Sequence, residues 1–90
     1  MDLETRKLLV DGARAIQNGK HEEGQSLLMQ YVEKDEESEE AWLWLSGALD
    51  DPNDIEVALD NCLSLNPNNL RALQGKDWLE EYRRQKSRSR

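Results

Sequence analysis

Ninety residues carry nineteen acids against twelve lysines and arginines, a formal net charge of -7, with one cysteine and no apolar run long enough to cross a bilayer. Such a chain is bounded to one small domain, lacks the thiols for an internal disulfide or a thiolate metal cage, and offers phosphate a mostly repulsive surface. The opening MDLETRK holds acids with no apolar signal region behind it, so the cytoplasm is the expected compartment.

Although 34% of the residues are charged, the apolar ones recur at helical spacing instead of being diluted, which predicts a folded all-α chain. The first unit spans residues 5 to 38: a helix through Ile16, a turn at Asn18-Gly19-Lys20, and a helix from Glu22 to Glu33. In that second helix Gly24, Leu27, Leu28 and Tyr31 stand at i, i+3, i+4 and i+7. His21, the only histidine, falls in the turn with no cysteine or serine near it in a recognisable motif, so it is expected to be an exposed turn residue. The acid run from Glu33 to Glu40 is expected to be a solvated link plus a helical first turn, with docking of a basic partner as the alternative.

The second unit spans residues 39 to 69. Ser38 is placed to cap its first helix, with Glu39 and Glu40 in the first turn, where the macrodipole favours negative charge. Ala41, Trp42, Leu45, Ala48 and Leu49 form one apolar stripe. A turn follows in which Asp51 can cap, Pro52 suits the first helical position and Asp54 lies in the first turn. This capping role accounts for Asp50, Asp51, Asn53 and Asp54 better than a calcium loop, whose alternate acids and central glycine are missing. Ile55, Leu59, Cys62 and Leu63 make the next stripe, which Pro67 stops. Cys62 lies mid-stripe and is expected to be buried and unreactive.

A last helix, residues 70 to 82, places Ala72, Gly75, Leu79 and Tyr82 near one face with Trp78 beside them, and is expected to close the stack as a cap. Every acid lies within residues 1 to 82; the tail 83 to 90, RRQKSRSR, has five cations, no acid and no apolar residue, and is predicted to be disordered beyond its first basic residues, with Arg83 and Arg84 also suited to the C-terminal end of the last helix.

The two units are of similar length and plan, and together they resemble tetratricopeptide repeats. The resemblance is carried by Gly12, Gly19, Gly24, Leu28 and Tyr31 in the first unit and by Trp42, Leu45, Cys62 and Pro67 in the second. The chain departs from the pattern at Asp11, which stands where the family has an apolar residue, and at Ser46, which replaces a glycine. Lys76 and Asp77 likewise stand where a third repeat would place Leu and Gly, and the second unit is about three residues short near its turn. The resemblance implies antiparallel helix pairs stacked as a short right-handed array of about five helices. It also implies a concave groove on the side bearing Leu43, Trp44 and Gly47, continued by Leu9, Val10, Ala13 and Ile16. Some members of the family grip a C-terminal carboxylate with Lys and Asn, but here the corresponding places hold Leu9, Ala13, Trp44 and Gly47, so no such clamp is expected.

The five glycines are scattered and form no phosphate loop, and no nucleophile, base and acid can be grouped; no catalytic, cofactor or metal residue is assigned. The expected function is therefore that of a non-catalytic adaptor or scaffold whose groove, centred on Leu43 and Trp44, takes an apolar anchor of a protein or peptide, with Arg6 and Arg14 at the rim. Two alternatives stand beside it. In the first the same strip is covered by the last helix, through Leu73 or Trp78, or by another copy in a homo-oligomer. In the second the tail touches a polyanion such as nucleic acid through Arg83, Arg84, Lys86, Arg88 and Arg90.

Overall fold

The computed structural model describes residues 2 to 88 as five helices: α1 (Leu3–Gln17), α2 (His21–Lys34), α3 (Glu39–Ala48), α4 (Pro52–Leu65) and α5 (Leu70–Arg88). Four of their starts, all but that of α2, are fixed by side-chain caps. Asp2 Oδ1 accepts from the Thr5 amide at 2.7 Å and Ser38 Oγ from Ala41 at 3.2 Å. Asp51 Oδ1 accepts from Asn53 at 2.8 Å ahead of Pro52, and Asn69 Oδ1 from Ala72 at 3.0 Å. Each satisfies a backbone donor that an α-helix leaves orphaned in its first turn. Helix α1 ends where Gly19 turns to φ +79, so that the Lys20 amide reaches back to the Ala15 carbonyl at 2.8 Å and the Gly19 amide to Ile16 at 3.0 Å. His21 is exposed, as the first residue of α2.

Consecutive helices pack on one another as antiparallel pairs, and α1 also touches α3. The α1–α2 crossing is close because both helices present glycine to it. A Cβ on Gly24 would stand 2.5 Å from Ile16 Cγ1 and 3.0 Å from the Gly12 carbonyl oxygen; one on Gly12 would stand 2.8 Å from Leu28 Cγ. Two apolar clusters result. The first joins Leu28, Tyr31, Val32, Ala41 and Leu45; the second joins Leu59, Cys62 and Ala72. Half-buried Trp42 packs against both, and its Nε1 donates to the Glu36 carbonyl at 2.9 Å.

Helix α5 corrects one expectation. Residues 83 to 88, expected to be disordered beyond the first basic residues, continue the helix. Arg84 is paired within the helix to Glu80 at 3.0 Å and Glu81 at 2.8 Å, i,i+4 and i,i+3 contacts that hold a polar turn helical. Arg83 is paired across to α4, 3.2 Å from Glu56 and 2.9 Å from Asn53 Oδ1. Lys76 adds contacts to Asp60 at 2.6 Å and Glu56 at 3.3 Å, so a charged seam fastens α5 along α4 above the buried contacts of Ala72 and Leu79. Arg90 lies outside the described residues.

Candidate functional site

A cleft of about 290 Å³ opens between α3, α4 and α5. Leu43, Leu49, Ile55 and Leu59 supply apolar walls, Gly47 and Gly75 leave room at the sides, and Arg71 and Trp78 contribute from α5. Gly75 is there because α5 must lie close to α4: a Cβ at that position would come 3.0 Å from Leu59 Cδ2. Gly47 has a different setting, with nothing within 4 Å of where its Cβ would stand.

The strip of apolar residues that the sequence places on one groove is divided. Leu43 and Gly47 line the cleft. Trp44 does not line it and packs, half-buried, against the first cluster, as Leu9 and Ile16 do. Leu9 also borders a separate depression with Arg6, Val10 and Tyr31, and Ala13 is half-buried in α1. Helix α5 leaves Trp78 57% and Leu73 41% exposed; Trp78 borders the cleft and Leu73 does not line it. Ile55, Leu59, Arg71, Gly75 and Trp78 were not expected as lining residues. Ile55, Leu59 and Gly75 were legible as stripe positions of α4 and α5, but no local pattern brings them to one cleft.

Near the cleft, Glu56, Lys76 and Glu39 are tied into the scaffold. Hydrogen bonds from Lys76 and Arg83 hold the Glu56 carboxyl below its ordinary range, and Asp60 raises Lys76. Glu39, accepting from the Asn66 and Asn69 amides at 3.0 and 2.7 Å, is lowered likewise and fixes the start of α3 to the α4–α5 link. Burial pushes the Cys62 thiol up, away from the reactive thiolate, and the Glu39 charge adds to this. Of the tail cations, Arg83 and Arg84 are engaged with acids, and Lys86 stands over the Tyr82 ring. Among the described residues no group of three or more His, Cys, Asp or Glu is placed to hold a metal, and no helix is long and apolar enough to cross a membrane. No family model, curated protein or solved structure matches this chain.

Proposed function

We propose that this chain is a non-catalytic protein-interaction module, a short right-handed array of two tetratricopeptide-like helix pairs closed by α5, which docks an apolar side chain of a protein partner in the cleft between α3, α4 and α5. The reading rests on one observation: a concave, apolar space of about 290 Å³ stays open beside an exposed tryptophan in a chain short of core residues. Exposed apolar concavities of this kind mark interaction sites. The repeat-like spacing of Trp42, Leu45, Cys62 and Pro67 agrees with it, and the single buried thiol suits a reducing compartment such as the cytoplasm.

Gly47 provides the test. Because its Cβ direction is open, Gly47→Lys sets a long charged side chain at the wall of the cleft with no clash at its Cβ. Pull-down from source-cell lysate with the intact chain and this variant, both shown folded by circular dichroism, should give capture by the intact chain that the variant loses. Capture retained by the variant would count against the cleft.

A further inference from the structure

The exposed half of α5 carries a strip that leads out of the cleft. Arg71 and Trp78 line the cleft; Trp78 stacks on Tyr82 with ring centroids 5.4 Å apart and planes at 15°; Lys86 Nζ stands 5.7 Å from the Tyr82 centroid. Spacings of seven, four and four keep these four residues near one face of the helix. The strip thus runs from a cation, across two stacked rings, to a second cation about 22 Å away at the helical rise. Among the described residues the ion pairs of α5 use Lys76, Arg83 and Arg84, and leave Arg71, Lys86 and Arg88 without a carboxylate, of which Arg71 and Lys86 belong to the strip.

Building on the docking reading above, we propose that the partner is an amphipathic helix whose apolar stripe enters the cleft beside Trp78 and whose ends carry carboxylates that meet Arg71 and Lys86. Charge complementarity selects it. In a chain of net charge -7 an acidic segment is repelled by most of the surface, so a strip with a cation at each end fixes where and in what register it lies. A second copy laid antiparallel on the strip would set Arg71 against its neighbour's Lys86, cation on cation. Single-stranded nucleic acid would stack on the rings, but two cations at the ends of the strip match the two ends of one segment and not a phosphate at every nucleotide.

The test is fluorescence anisotropy of the intact chain with three labelled amphipathic peptides of about 16 residues, the length that spans the strip. They share one Leu and Phe stripe and end in Glu, Gln or Lys. The Glu-ended peptide should bind tightest, roughly fivefold better than the Gln-ended one, with the Lys-ended one weakest. Arg71→Glu with Lys86→Glu should invert that order, and Trp78→Ala, at an exposed position that leaves the fold intact, should weaken all three by roughly tenfold or more. Equal affinity for the three peptides would overturn the acidic partner while leaving the cleft as a docking site. Failure of all three to bind would overturn both readings. Tighter, steeply salt-dependent binding of oligo(dT) than of the Glu-ended peptide would reassign the strip to nucleic acid and overturn the proposal.

Discussion

Alanine is expected to act with opposite signs at two glycines of this chain. At Gly47 the space is open, so Gly47→Ala recovers helix propensity and should stabilise by up to about 1 kcal/mol. At Gly24 the same propensity gain meets a Cβ placed 2.5 Å from Ile16 and 3.0 Å from a backbone oxygen that cannot rotate away. Overpacking of that kind costs about 1 to 3 kcal/mol, so the net effect should be a loss near 1 kcal/mol. Urea unfolding followed by circular dichroism checks both; a Gly24→Ala midpoint above that of the parent would mean that α1 and α2 can separate without loss. Trp44 shows how far single residues were legible. At 100° per residue it stands off the Trp42–Leu45 side of the stripe, though only about 40° from Ala48. What lies in that direction was not legible: a helix inside a stack is covered on more than one side, and Leu9 and Ile16 pack against the first cluster as Trp44 does. Trp44→Asp is therefore expected to destabilise the fold by about 2 kcal/mol or more in the same unfolding assay, by setting a charge against apolar neighbours. Gly47→Lys sets its charge at the cleft wall with no clash at its Cβ.

Among the elements, helix starts were legible because a cap is a local chemical requirement: Ser38, Asp51 and Pro52 act where the sequence places them. The end of α5 was not, since RRQKSRSR has no apolar residue and its order comes from acids elsewhere: Glu80 and Glu81 a turn back, and Glu56 on α4. An element held in this way should respond to pH. The Glu56 carboxyl lies below its ordinary value of 4.5 because Lys76 and Arg83 bond to its charged form. A depressed folded pKa contributes stability that is complete above the unfolded value and is lost as pH falls through the folded one. Glu39, bonded by Asn66 and Asn69, has the same sign. Lys76 is raised, so its contribution is present below 10.5 and is lost only as pH rises through its folded value, far from the acid range. Acidification below 4.5 should thus lower the thermal midpoint and loosen the last turns of α5. Glu56→Gln should lower the midpoint at neutral pH and flatten its fall in acid; a fall parallel to that of the parent would show that the α4–α5 seam adds nothing. The groups are well solvated, so the effect should be modest and should shrink with salt.

For the whole molecule, the arrangement of five helices in consecutive antiparallel pairs was legible from periodicity, whereas the cleft was not, because residues of three separate helices line it and no local pattern sets how those helices stand to one another. The same arrangement decides how the chain unfolds. Its two clusters lie on either side of α3, and Trp42, half-buried and packed against both, ties them together. Cys62 reports on the second cluster: it is 0% exposed, and burial raises its thiol pKa, so a disulfide reagent reaches it only when α4 and α5 part. In the intact chain the opening free energy from the labelling rate should equal the unfolding free energy from helical circular dichroism, since both clusters are lost in one transition. Trp42→Ala removes the shared side chain and should lower overall stability by about 3 kcal/mol. It should also uncouple the halves, so that Cys62 labels through a partial opening lying about 1 kcal/mol or more below the variant's own global unfolding. Equal labelling and unfolding energies in the variant would place the coupling in the α2–α3 contact instead of in Trp42. A gap already present in the parent would mean that α4 and α5 open independently, so that the cleft they form with α3 is the least stable part of the molecule.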